Sequence, residues 1–198
     1  MPPIPPYTKY LMLACTAVFC LQQVLPFLER FLALWPLASG AFLPWQLVSY
    51  AFLHGGMTHL FFNMLGLWMF GSELERLWGQ KRYAQFLLAG VLAAAVAQLL
   101  VTALTGSYTP TVGASGGLFA LLLAFGMWFP DRVIMPLFPP IPMKARTFVM
   151  VFGAIELALG ITGPSGGVAH FAHLGGMVGG WIMIRYWRRM PPFGRRRR

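Results

Sequence analysis

The chain has 198 residues, of which 58% are hydrophobic and only 10% charged, with a mean hydropathy of +0.65 and a net charge of +10. Soluble domains carry about 25% charged residues, so this composition argues against a soluble enzyme, a disordered tail and an ordinary basic nucleic-acid binder. Cys15 and Cys20 lie in one apolar stretch, five residues apart and on different helix faces, so they support neither a disulfide framework nor a cysteine metal site. What remains is an integral membrane protein.

Charge is absent from residues 10–28, 31–72, 83–130 and 157–184. A crossing helix needs roughly 20 apolar residues, so the stretch 83–130 must fold back once. The break falls at Thr105-Gly106-Ser107-Tyr108-Thr109-Pro110-Thr111-Val112-Gly113, a polar turn signature. Six spans are therefore expected, near 10–28, 58–78, 82–104, 115–130, 146–163 and 168–188. Residues 31–57 contain Pro36, Gly40 and Pro44 and read as a loop partly sunk in the membrane. The first span has no basic segment before it and no small-residue cleavage site after it, so it reads as a retained anchor. The expected fold is an all-α polytopic bundle: a short N-terminal segment 1–9, a membrane domain 10–188 and a basic tail 189–198.

Six spans place both termini on one side. That side collects Lys9, Arg76, Lys81, Arg82, Arg132, Lys144, Arg146, Arg185, Arg188, Arg189 and Arg195 to Arg198, whereas the other has Arg30 alone. Basic residues stay in the cytoplasm, so both ends are expected there. The terminal arginines then act as a cytoplasmic stop that contacts anionic lipid, and no nucleic-acid partner is expected.

Polar groups inside such a bundle are functional candidates. His54, His59, His170 and His173 lie near the non-cytoplasmic ends of their segments. His59 and Asn63, spaced i, i+4, share a helix face. His173, Gly176 and Gly180 place a histidine above a small-residue stripe that permits close helix approach. The fourth span opens with Gly113-Ala114-Ser115-Gly116-Gly117, a second small surface. Packing the two would set Ser115 beside His173. Counted at 1.5 Å per residue, Ser115 lies about 22 Å above Pro130, His173 about 18 Å above Arg185 and His59 about 21 Å above Glu73, so the three share one depth.

Histidine has the pKa needed to take a serine's proton. The sole aspartate, Asp131, lies on the cytoplasmic side, and Glu156, the one acid deep within a span, reads as a protonated or hydrogen-bonded packing residue. The chemistry expected is that of a Ser-His dyad without a third acidic member. His59 and Asn63 suit an oxyanion hole together with the Ser115 backbone N–H.

With these residues in place, the sequence resembles the rhomboid family of intramembrane serine proteases from Trp45 to Gly180. His54-Gly-Gly-Met-Thr-His59-Leu-Phe-Phe-Asn63 looks like its second-helix motif, Gly113-Ala-Ser115-Gly116 its serine motif and Ala172-His173-Leu-Gly-Gly176 with Gly180 its base motif. Glu75-Arg-Leu-Trp-Gly79 resembles the Glu-xxx-Gly element at the cytoplasmic end of the second helix. The resemblance implies Ser115 as nucleophile, His173 as general base, and His59 and Asn63 as oxyanion stabilisers. It also implies transmembrane segments of other membrane proteins as substrates, with no cofactor and no metal. Two positions depart from the family: Trp45-Gln46 stands where Trp-Arg is frequent, and Phe119 where some members have Tyr. His170 is a second candidate base, out of register with the Gly176/Gly180 stripe. Six spans without an added helix resemble the minimal prokaryotic form and suggest a prokaryotic plasma membrane. The rival readings are a non-proteolytic rhomboid-like chaperone or adaptor that binds transmembrane helices, and a transporter or channel; the latter lacks an internal repeat.

Overall fold

The computed structural model describes residues 3–137, 140–163 and 169–189. The expected tail beyond Arg189 and the first residue of the last expected span, Val168, lie outside that set. Among the described residues the chain is mostly helical. The elements in order are α1 (Pro6–Val24), α2 (Phe27–Leu32), α3 (Gln46–Ser49), α4 (Met57–Gly66), α5 (Ser72–Trp78), α6 (Gln80–Thr105), α7 (Ser115–Trp128), α8 (Ala145–Thr162) and α9 (His170–Arg189). A π-helical segment, Leu67–Gly71, joins α4 to α5, so 57–78 run as one irregular helix.

Six long helical segments thus occupy the six expected positions. Two of them, Gln80–Thr105 and Ala145–Thr162, are long and apolar enough to cross a membrane by length and composition alone. The first segment starts and ends about four residues earlier than expected. Charge alone set the expected start after Lys9, but one lysine near a helix end is tolerated because its stem can carry the ammonium outward. Proline sets the real limits: Pro6 opens the helix, and Pro26 follows its last turn. The fold-back after α6 uses Gly106 at φ +67°, a left-handed cap that a residue with a β-carbon rarely adopts.

The all-helical expectation has two small exceptions. Val133–Ile134 (β1) and Met143–Lys144 (β2) form an antiparallel pair between α7 and α8, and Leu34 makes an isolated bridge with Thr111. Nor is the 31–57 region an unstructured loop. It carries α2, α3 and two 3₁₀ turns around the wholly buried Gln46. Gln46 Oε1 accepts from the Trp35 and Leu43 N–H groups at 3.3 and 3.1 Å, and its Nε2 donates to the Phe31 and Ala41 carbonyls at 3.3 and 3.2 Å. One amide thereby satisfies backbone groups that would otherwise be orphaned in the interior.

Four of the basic residues assigned to one side, Arg76, Arg132, Lys144 and Arg146, gather at one end of the bundle. Arg132 pairs with Glu73 at 3.4 Å, Asp131 with Lys144 at 3.1 Å and Arg146 at 3.4 Å, and Arg76 donates to the Pro3 carbonyl at 2.8 Å. At the same end the Glu75 carboxylate, 3% exposed, accepts from the Tyr7 N–H, the Thr8 N–H and the Thr8 hydroxyl at 3.0, 2.7 and 2.8 Å. A negative charge on the free N–H groups of the first turn of α1 is favourable, so Glu75 locks α1 to α5.

The centre of the molecule is the packing of α9 on α6 and α7. A β-carbon at Gly176 would collide with the Gly116 carbonyl of α7, and one at Gly180 would meet Ala120 Cβ at 3.1 Å, as the expected stripe requires. A second stripe, Gly175 and Gly179, faces α6 and touches Ala97 and Ala93. The sequence reading missed it. Glycine on both faces lets α9 sit between two helices at near-backbone contact.

Candidate active site

Ser115 is the first residue of α7, so its N–H has no intrahelical acceptor. The turn before it contains Gly113 at φ +127°, whose N–H donates to the Tyr50 carbonyl at 3.0 Å. A β-carbon there would lie 2.7 to 2.8 Å from His59 ring atoms. Only glycine therefore lets the imidazole of α4 rest against the serine turn. From the other side, the contact of Gly176 with Gly116 brings α9 alongside, and His173 Nε2 lies 2.8 Å from Ser115 Oγ. The His173 ring stacks on Phe119 with centroids 4.3 Å apart and planes 5° from parallel, so the absent tyrosine hydroxyl does not cost the stack.

His173 Nδ1 faces the Glu156 carboxylate of α8, with Oε2 at 2.8 Å. His170 Nδ1 lies 2.7 Å from the same oxygen. This corrects the expectation of a serine and histidine with no acid nearby: Glu156 is hydrogen-bonded, but to the very ring that meets the serine. A signal was available, because Glu156 stands ten residues after Arg146, or about 15 Å up its helix and within about 3 Å of the height of His173. His173, and not His170, meets Ser115.

An ionised carboxylate only accepts, so with Glu156 ionised both Nδ1 atoms donate. Neutral His173 then carries its proton on Nδ1 and presents the Nε2 lone pair to the serine hydroxyl, a tautomer assigned from its hydrogen bonds. Glu156, His170 and His173 also each offer a ligand atom within 4.8 Å of the others, residue types suited to a zinc-like cation. Their mutual hydrogen bonds satisfy the same atoms without one.

His59 and Asn63 line the same cavity of about 620 Å³ as Ser115 and His173. The Gly55 N–H donates to His59 Nδ1 at 3.3 Å, which leaves the ring proton of neutral His59 on Nε2, one of the two ring atoms that face Gly113 of the serine turn. Asn63 Nδ2 donates one proton to the His59 carbonyl at 2.9 Å and retains a second. The cavity wall also includes Gln98 of α6 and Ser107 and Thr109 from the fold-back after it, polar groups able to hold water. His54 is not part of this wall. It is buried, its N–H donates to Gln22 Oε1 at 3.0 Å, and its ring packs edge-on against His59 at 5.2 Å. Burial, with His59 beside it, pushes its pKa down to about 4, so it supports the wall as a neutral ring.

The family model for the rhomboid domain matches residues 42–190. The chain belongs to the rhomboid family. Among curated relatives it is 31% identical over 188 residues to presenilin-associated rhomboid-like protein A, mitochondrial, of Danio rerio, covering 89% of this chain and 48% of that protein. It is 32% identical over 192 residues to rhomboid protease GlpG of Serratia proteamaculans, covering 92% and 62%. It is 30% identical over 138 residues to rhomboid protease GluP of Bacillus subtilis, covering 70% and 25%. The chain thus spans about half the length of several relatives, or less. The similar rhomboid proteins come from mitochondria as well as bacteria, which removes support for the prokaryotic placement inferred from the span count; a rhomboid membrane protein is the placement that stands.

Proposed function

We propose that this chain is an intramembrane serine endopeptidase that hydrolyses peptide bonds in or near the transmembrane helices of other membrane proteins. The observation that carries the reading is the 2.8 Å approach of Ser115 Oγ to His173 Nε2, in a cavity that also holds His59 and Asn63. The six helical segments cross the bilayer, both termini face the cytoplasm, and the cavity opens toward the opposite side. A substrate helix enters from the lipid and unwinds locally, because a helical carbonyl is already committed to its own backbone. Ser115 attacks the exposed carbonyl while His173 takes its proton. The negative charge that develops on the carbonyl oxygen is met by the Ser115 N–H, the His59 Nε2–H and the second Asn63 amide proton. His173 then protonates the leaving amine, and water from the polar side of the cavity releases the acyl-enzyme.

The competing reading is a rhomboid-like chaperone or adaptor that binds helices without cutting them. The pairing of serine and histidine favours the protease, since helix binding alone has no use for it. Purified in detergent with a single-span model substrate, wild type is expected to cleave and Ser115→Ala to fall to background. A fluorophosphonate probe should label wild type at Ser115 and label His173→Ala at least about 100-fold more slowly. Cleavage by Ser115→Ala at the wild-type rate would end the assignment.

A further inference from the structure

We propose that Glu156 is a positioning residue for this site, so that the serine chemistry runs on a Ser115–His173–Glu156 relay of contacts instead of on two residues. The proposal rests on the protease reading given above. Its geometry is continuous: Ser115 Oγ to His173 Nε2 is 2.8 Å, and His173 Nδ1 to Glu156 Oε2 is 2.8 Å. The two ring nitrogens of His173 thus have one partner each, and the partners differ in kind. An anionic oxygen on Nδ1 requires the proton there and leaves Nε2 as the base. It also holds the ring plane that Phe119 stacks upon, and it stabilises the imidazolium formed when the serine gives up its proton.

A purely structural role, as a polar tie between α8 and α9, is the alternative to overcome. Both His170 and His173 donate to a single oxygen, and a tie would need only one of them. The side chains of Glu156 and His173 are each 12% exposed, so the charge–imidazole contact sits where water screens it little. His170, slightly more open at 19%, anchors the carboxylate from its other flank and fixes the position of Oε2. No bond is made or broken at Glu156 in this scheme. The proton shuttles between Ser115 Oγ, His173 Nε2 and the leaving amine, and the carboxylate stays ionised throughout.

The experiment compares full-length wild type, Glu156→Gln, Glu156→Asp and His170→Gln in detergent, reading kcat, KM, fluorophosphonate labelling rate and Tm. Glutamine keeps the volume but not the charge, and its amide can donate to Nδ1 and force the wrong tautomer. For Glu156→Gln the expected result is a fall in kcat and in labelling rate of about 100-fold or more, with KM within about twofold and Tm nearly unchanged. Glu156→Asp restores a carboxylate and is expected to recover at least tenfold of that loss, while His170→Gln, which loosens the carboxylate without removing its charge, is expected to lower kcat by much less than Glu156→Gln does. Glu156→Gln with wild-type kcat overturns the proposal. So does a loss of kcat that tracks a fall in Tm and is not relieved by aspartate. If wild type itself neither cleaves nor labels, the protease reading fails and takes this proposal with it. An active wild type with an indifferent Glu156→Gln removes this proposal alone.

Discussion

The two sides of α9 are built by different means. Toward α6 and α7 it presents Gly175, Gly176, Gly179 and Gly180, and β-carbons at three of these would run into neighbouring backbone or alanine atoms. Toward α8 the contact is sparse. The buried residues of α8 are Ala145, Phe148 and Val149, all in its first turns, and none of the residues from Met150 onward is buried. The upper part of α8 meets α9 through the Glu156 hydrogen bonds, with the Met177 and Phe171 side chains lying over Gly153 and Gly160. Ser115 and His173 are thus placed by rigid small-residue packing, and Glu156 is delivered by the half of α8 beyond its buried apolar turns. Distances inside a cavity are reproducible where backbone meets backbone, and adjustable where a side chain spans the gap.

The strongest way to break this contrast is Gly176→Ala. The added methyl would collide with the Gly116 carbonyl, the oxygen one residue beyond the serine, and backbone cannot swing aside as a side chain does. Overpacking of this sort costs about 3 kcal/mol or somewhat more, equivalent to a fall in Tm of about 10 °C for a chain of this size. Because α9 must move off α7 to make room, Ser115 and His173 separate, and cleavage should drop at least about 100-fold. A scan of Tm and substrate cleavage on Gly176→Ala reads both; near-wild-type values for each would show that the α7–α9 contact is soft.

The rigid side is the part that could be read from residues in order. Glycines at a regular spacing, a serine at a helix start and a histidine above the stripe are local facts, and helical geometry converts them into one contact. His59, Ser115 and His173 line one cavity, as the agreement of their residue counts along the helices leads one to expect. The soft side was not legible. Helix α8 is apolar nearly all round, so its sequence carries no face that announces where Glu156 points. Its height was countable, but its direction depends on how α8 rotates against α9. Gln46 was hidden for a related reason: a glutamine in a proline-rich loop looks solvated until residues 31 to 43 close around it, which is a non-local event. The early end of α1 is set by Pro26 and not by the end of the charge-free run, which continues to Leu28.

Two glycines on α8 sharpen the comparison at its weak end. A β-carbon at Gly160 would lie 3.0 to 3.1 Å from the Phe171 ring and 3.4 Å from His170 Cβ, so the ring must give by a few tenths of an ångström. The crowding cost is set against roughly 1 kcal/mol of helix propensity gained by alanine. Gly160→Ala should therefore leave Tm within about 3 °C and lower cleavage only a few-fold, by nudging His170 against Glu156. Gly153→Ala should do less still. Its β-carbon would meet Met177 Cε at 3.5 Å, an ordinary contact with the far end of a flexible side chain. With no clash to oppose it, the helix-propensity gain survives, and Tm is expected to rise by about 2 °C with cleavage unchanged. The same substitution thus lowers stability on the α7 face of α9 and raises it across from Met177. If differential scanning of the Gly153→Ala protein showed a fall comparable to that of Gly176→Ala, α8 would have to be packed as tightly as α6 and α7, and the position of Glu156 would owe nothing special to its hydrogen bonds.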